Sequence, residues 1–177
     1  MLAVRELQTS DISHIVAYWT TAEKRFLEGM GVDPDKLPSP DDFVQMLQAQ
    51  LTTPLEHKNA WCIIWEVDGQ AVGHCNTNPI EFGCQATMHL HMWKPTTRRK
   101  GLGTALVSKT IPLFFEHLQL QKLICEPYAL NIAPNKTLEK VGFDFIKEYT
   151  TIPGSFSFEQ PVKRWEMSRE RSALFGR

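Results

Sequence analysis

Between residues 86 and 118 the sequence passes from an extended run (Ala86 to Met92) through a basic turn into a strongly apolar helical run (Leu102 to Leu118). The turn reads Trp93-Lys94-Pro95-Thr96-Thr97-Arg98-Arg99-Lys100-Gly101-Leu102-Gly103-Thr104-Ala105. A strand, a glycine-containing turn and a helix in that order place a helix N-terminus at the end of a sheet strand. Gly101 and Gly103 allow a tight turn and leave no side chain in the way of a ligand. The first helical turn carries N–H groups without internal partners at the positive end of the helix dipole. Arg98, Arg99 and Lys100 add cationic donors just before it. The combination suits a pyrophosphate.

A dinucleotide fingerprint needs a third Gly or Ala three residues after Gly103, where Leu106 stands, and the Gly-Lys-Ser/Thr of a nucleotide P-loop is absent. What remains is Arg98-x-x-Gly101-x-Gly103. About thirty residues on comes Asn131-Ile132-Ala133-Pro134-Asn135-Lys136-Thr137-Leu138-Glu139-Lys140-Val141-Gly142-Phe143. Together the two segments resemble the acyl-CoA pyrophosphate loop and the Asn…Leu-Glu-Lys-x-Gly-Phe signature of the GNAT superfamily, the Gcn5-related N-acetyltransferases. The second segment is most similar to the ribosomal-protein N-terminal acetyltransferase-like branch. The likeness is specific from about residue 60 to 150 and architectural before that.

The resemblance implies an α/β (α+β) GNAT fold. Its central sheet is mixed but mostly antiparallel, with about seven strands flanked by about four helices, and strands 4 and 5 splay apart to admit the acyl-CoA arm. It implies acetyl-CoA as acetyl donor, held by Met92, Trp93 and Lys94 at the end of the fourth strand. The loop residues Arg98, Arg99, Lys100, Gly101, Leu102, Gly103 and Thr104 would take the phosphates, with Asn131 and Lys136 beyond them. The sequence departs from the family in two places: Leu138 stands where many members carry a general-acid Tyr, and Pro134 where a Ser is common.

Length and composition agree with one domain spanning 1–177, long enough to bury ~70% of its unfolded surface. Net charge is −1, which gives no global field toward nucleic acid or anionic membrane, so neither is expected as a partner. No apolar run approaches the ~18 residues of a membrane span, and the first residues lack the pattern of a secretory signal. The four cysteines (Cys62, Cys75, Cys84, Cys125) show no Cys-x-x-Cys spacing, so reduced thiols in a cytoplasmic protein are expected.

Leu2 to Leu7 reads as a first strand. Ile12, Ile15, Val16 and Trp19 follow at helical spacing, and this helix is expected to run to about Met30. Ser39-Pro40-Asp41-Asp42 starts a second helix with Phe43, Met46, Leu47 and Leu51 as its buried stripe. Trp61 to Val67, the Asp68-Gly69 turn and Gln70 to Thr77 predict a hairpin, broken at Asn78-Pro79; Gln85 to Trp93 adds a third strand. On that strand Thr87, His89 and His91 share one face and Met88, Leu90 and Met92 the other. Pro112 is expected to kink the long helix or shift its start. Lys122 to Glu126 predicts a short strand, and Pro127 a bulge, an unpaired edge or a splay there. Pro134 to Val141 predicts a short helix, and Phe143 to Thr150 and Phe158 to Met167 the closing strands. The tail from Ser168 reads as basic and peripheral.

Acetyl transfer to a primary amine needs a base, because an alkyl amine is mostly protonated near pH 7. It also needs donors for the oxyanion, which the fourth strand's backbone around Met92 can supply. The resemblance makes Glu126, five residues before Asn131, the first candidate base. His91 is the second, with an intrinsic pKa suited to the task. Tyr128 is the phenol that can replace the missing acid. His89 with His91 lacks a third ligand, and no metal is expected. The acceptor is a small-molecule or protein amine, and a monomer or homodimer is expected. Two alternatives remain: a GNAT-like module that binds acyl-CoA without turnover, favoured by Leu138, and a nucleotide-dependent oxidoreductase, disfavoured by Leu106.

Overall fold

The computed structural model describes residues 1–93 and 101–175. The loop residues Lys94, Arg98, Arg99 and Lys100 lie outside the described residues. The elements in chain order are β1 (Leu2–Glu6), α1 (Ile12–Thr20), α2 (Lys24–Gly29), α3 (Pro40–Thr52), β2 (Trp61–Val67), β3 (Gln70–Glu81) and β4 (Gln85–Met92). Then follow α4 (Leu102–His117), β5 (Lys122–Cys125), α5 (Ile132–Lys140), β6 (Asp144–Thr151), β7 (Gln160–Ser168) and α6 (Arg169–Phe175). The strands form one seven-stranded sheet in the order β1-β2-β3-β4-β5-β7-β6. Every pairing is antiparallel except β4 with β5.

Alternation along the strands gives the sheet two apolar faces. Trp61, Ile63 and Trp65 of β2 join Met88 of β4 and Leu123 of β5 in a core covered by Leu106, Ile111 and Phe114 of α4. Cys62 and Ile64, the intervening residues, pack with Ile15 and Trp19 of α1 and Phe43 and Leu47 of α3. The long apolar helix therefore covers one face and the three N-terminal helices the other. Trp65 Nε1 donates to Thr110 Oγ1 at 2.9 Å, which satisfies a polar hydrogen in the middle of the first core.

Several expectations change. The N-terminal helical run is two helices, α1 ending at Thr20 and α2 beginning at Lys24. There are six α-helices among the described residues, where about four were expected. β3 does not stop at Asn78-Pro79 but runs to Glu81, with the irregularity absorbed by a register shift between Thr77 and Ile80. α4 starts at Leu102 as expected and runs through Pro112 to His117. Met46 and Leu51 are exposed, unlike Phe43 and Leu47 on the same helix. The tail is not peripheral: Arg169 donates to the Leu120 and Phe115 carbonyls (2.7 and 2.6 Å), and Arg171 donates to the Gly142 carbonyl and pairs with Asp144. Basic residues there cap the ends of other elements, a role that composition does not reveal.

The site is shaped where β4 and β5 part. They pair only at Gln85–Lys122, Ala86–Leu123 and Thr87–Ile124. Beyond Cys125 the chain stays with β7: Lys163 N donates to the Pro127 carbonyl (3.1 Å) and Ala129 N to the Pro161 carbonyl (2.8 Å). Pro127 has no N–H to offer β4, so its place at the fork is chemically consistent. Buried Asn135 of α5 holds the turn that follows. Its Nδ2 donates to the Tyr128 and Asn131 carbonyls (3.1 and 2.8 Å), and its Oδ1 accepts from Trp165 Nε1 (2.8 Å). Asn135→Leu keeps the volume but strands these buried groups. It is expected to destabilise the fold by about 3 kcal/mol, read as a lower urea midpoint with an unchanged m-value.

Candidate active site

The parted strands open into a cavity of about 590 Å³ between the sheet and α1 to α3. It brings together four residues singled out in the sequence: Glu126, His91, Tyr128 and Asn131. The cofactor candidates Met92 and Trp93 lie at the end of β4, and Gly101, Leu102, Gly103 and Thr104 at the start of α4. Lys136 is exposed on α5 and does not line the cavity. Gly101 sits at φ +88°, a conformation that favours glycine, and a Cβ at Gly101 or Gly103 would meet nothing within 4 Å. Ala105 N donates back to the Gly101 carbonyl at 3.0 Å. The preceding N–H groups, from Leu102 to Thr104, belong to the first turn and have no helical acceptor. Open space, a left-handed glycine and first-turn N–H groups fit a pyrophosphate.

Strand parity fixes which peptide groups face the fork. Trp93 N donates to the Val72 carbonyl of β3 (3.0 Å), whereas the Met88 carbonyl accepts from Cys125 Sγ of β5 (3.0 Å). Odd-numbered peptides of β4 thus point at β3 and even-numbered ones at β5. The peptide of Leu90 lies beyond the last β5 pairing and aims into the gap.

Glu126 is mostly buried beside the fork, and both its bonds fall on Oε1: one from the Tyr149 hydroxyl, the other from Arg164 Nη1 at 2.8 Å. Oε2 has no partner among the described residues. Arg164 also pairs with Glu166 at 2.7 Å, so the guanidinium is held from two sides. Burial and the bond to Glu126 push the Tyr149 phenol up. The sequence offered no sign of Tyr149 or Arg164. They reach Glu126 only because β7 lies between β5 and β6.

Three histidines line the same face, and only His91 was proposed for catalysis. His74 of β3 lies opposite His91 of β4, the rings stacked at 4.6 Å. Trp93 Nε1 donates to His74 Nδ1 at 2.7 Å, which requires a neutral ring with its proton on Nε2. Burial pushes His74 down to about 3 and His91 well below the usual histidine value. His91 Nδ1 lies 3.4 Å from the Tyr18 hydroxyl. His89 Nε2 donates to the Asn78 carbonyl at 2.8 Å, so its Nδ1 is the acceptor in the neutral ring. Burial lowers His89, opposed by that bond and by the charge of Glu126. Among the described residues no group of three His, Cys, Asp or Glu is placed to hold a metal ion.

The outer wall is fastened to the sheet by polar contacts. Buried Gln160 of β7 donates from Nε2 to the Gly31 carbonyl at 2.6 Å, and a Cβ at Gly31 would overlap its side-chain amide. Asp33 N donates to the Phe156 carbonyl (2.7 Å), and Lys36 Nζ to the Ser157 carbonyl (2.8 Å). Leu138, in the position of the absent Tyr, is wholly buried in the α4-side core. α5 therefore sends no phenol from that position into the cavity, and Tyr128 is the phenol on its wall.

The buried histidines set a pH dependence. A histidine held neutral in the fold but free to protonate when unfolded leaves stability intact above about pH 6.5. Stability then falls as pH drops from about 6.5 toward 3, because the unfolded chain takes the proton first. At pH 5 the loss from His74 alone is about 2 kcal/mol. His74→Gln, which can still accept from Trp93, should lose less of its thermal midpoint between pH 7.5 and 5.0 than the parent, as read by calorimetry.

Comparison with known proteins accords with this geometry. None of the curated protein sequences compared with the chain matches it. Similar solved structures include RimL, a ribosomal-protein alpha-N-acetyltransferase in complex with coenzyme A, at 13% identity and TM-score 0.76, covering 94% of this chain and 93% of that one. A spermidine N-acetyltransferase from Vibrio cholerae, in complex with CoA and spermine, is similar at 17% identity and TM-score 0.77, covering 97% and 98%. The aminoglycoside acetyltransferase AAC(6')-Ib, with coenzyme A and kanamycin, is similar at 17% and 0.73, covering 98% of both chains. At these identities the likeness shows the shared fold. Residues 2–144 match the family profile described as an acetyltransferase (GNAT) domain, and the chain belongs to that family.

Proposed function

We propose that this protein is a single-domain, acetyl-CoA-dependent N-acetyltransferase whose acceptor is a primary amine. The observation that carries the proposal is the fork itself: Glu126 stands on the cavity wall where β5 leaves β4, with the Leu90 peptide aimed into the same gap. Acyl-CoA would enter between the strands, its pyrophosphate against Gly101 to Thr104 and the basic residues Arg98, Arg99 and Lys100. Asn131, at the start of α5 on the cavity wall, would meet the arm. The amine, deprotonated by Glu126 through Oε2 directly or by way of water, attacks the thioester carbonyl carbon. The oxyanion is met by N–H from β4. The C–S bond then breaks, the thiolate takes a proton from Tyr128 or from solvent, and the cationic nitrogen of the adduct gives up its proton to the Tyr128 phenolate or to solvent, leaving the neutral amide. His91, held neutral by burial and already engaged with Tyr18 and His74, is the second candidate for the base.

RimL, the spermidine enzyme and the aminoglycoside enzyme are named for acetylation of amines, which supports the reaction class here. A cytoplasmic setting agrees with a CoA thioester as donor. A second reading, an acyl-CoA-binding module without turnover, draws on Leu138 being core. Thiol release in the presence of an amine panel separates the two.

Glu126→Gln keeps the bonds on Oε1 but cannot take a proton. It should lower kcat by about 100-fold with the acetyl-CoA Kd unchanged. An intact kcat moves the base to His91. Arg98→Ala should raise the acetyl-CoA KM by about tenfold at unchanged kcat, and an unchanged KM removes Arg98 from the phosphate site.

A further inference from the structure

The cavity's chemistry narrows the acceptor, an inference that rests on the acetyltransferase reading. Among its described lining residues Glu126 is the only carboxylate, and there is no lysine or arginine. Glu126 is already opposed by Arg164 at 2.8 Å, so the pair brings no net negative charge. The remaining polar wall is neutral: imidazoles, and amides that include Asn76, Gln50 and Gln160. The oxygens Gln50 Oε1 and Gln160 Oε1 are buried with no hydrogen-bond partner.

The cavity is also polarised along its length. Glu126 stands at one end, where β5 leaves β4. His91 lies two residues beyond His89 along β4, about 7 Å. It meets Trp19 edge-on at 4.9 Å. Trp19 stacks on Phe43 (6.2 Å, 11°), and Phe156 closes edge-on against both, at 6.2 and 5.7 Å. Exposed Met46 lines this region, which explains why α3 leaves it outside the core. A ligand laid along this axis would have its nitrogen at Glu126 and its far end against the cluster of Trp19, Phe43 and Phe156.

We infer that the acceptor is a small monoamine with an aromatic or bulky apolar body and no second charge. A second ammonium would be desolvated among Trp19, Phe43 and Phe156 without a counter-ion, and a carboxylate would find no cation on the described wall. Polyamines and aminoglycosides, the ligands of similar folds, are excluded on that ground. The apolar body gains from the same rings.

The test is a thiol-release assay on the whole protein with 2-phenylethylamine, spermidine and kanamycin, beside calorimetric titration with acetyl-CoA. The expected result is kcat/KM for 2-phenylethylamine at least about 100-fold above the two polycations. Phe156→Ala should lower that value by about tenfold and leave the acetyl-CoA Kd within twofold. Gln50→Glu, which adds a carboxylate to the wall without changing its shape, should move the ratio toward spermidine by about tenfold. Acetyl-CoA binding with equal or better turnover of spermidine or kanamycin overturns the monoamine assignment and leaves the acetyltransferase reading intact. Acetyl-CoA binding with no acetylation of 2-phenylethylamine also overturns it. Absence of acetyl-CoA binding by a folded protein overturns both.

Discussion

The structure depends on β5 having two possible partners and choosing one. For three residues it pairs with β4 on one side and β7 on the other. After Cys125 the bonds to β7 continue through Pro127 and Ala129, while those to β4 end. A sheet cannot end a pairing in its interior without exposing peptide groups, and unpaired peptide groups are costly unless something answers them. One answer is internal, the Cys125 thiol on the Met88 carbonyl. Beyond it, the Leu90 peptide turns toward the cavity, not toward β5. The fork is thus an interruption of strand pairing built into the centre of the sheet.

Strand alternation turns that fork into a chemical site. Because β4 places Met88 in the α4-side core, His89 and His91 must face α1 to α3. The antiparallel register then sets His74 opposite His91 and Asn76 opposite His89. Burying histidines at this density keeps them uncharged. The face is therefore rich in hydrogen-bonding groups and poor in charge. Glu126 and Arg164 concentrate what ionic character there is at one end.

The parts of this arrangement legible in the sequence were those written in local periodicity and short motifs. The parity of Thr87, His89 and His91, the Ser39 cap of α3 and the helix start at Leu102 all follow from residues near one another in the chain, while Pro127 marked an irregularity that only the family resemblance made a splay. Contacts across the sheet were not legible. Arg164 and Tyr149 reach Glu126 through a strand order that no local pattern encodes. His74 meets His91 only through a register that the irregularity between Thr77 and Ile80 leaves unspecified at the sequence level. The stop expected at Asn78-Pro79 failed for a related reason: a proline-containing bulge is tolerated when the strand on its other side re-forms its pairs. Met46 matched the apolar stripe by spacing but faces the cavity, because helical periodicity reports an apolar face and not what covers it.

The seam between the helical wall and the β6–β7 connection has an evolutionary reading. Gly31, Asp33 and Lys36 are joined to Gln160, Phe156 and Ser157, segments more than a hundred residues apart in the chain. Gly31 admits no larger residue while Gln160 keeps its place, and Gln160 divides its donor between the Gly31 and Phe158 carbonyls. The two sides of the acceptor wall are therefore heritable as a pair. A descendant that reshaped one side alone would lose the closure that defines the cavity. Drift toward a new acceptor would have to pass through matched changes on both segments or through the residues that face inward without crossing the seam.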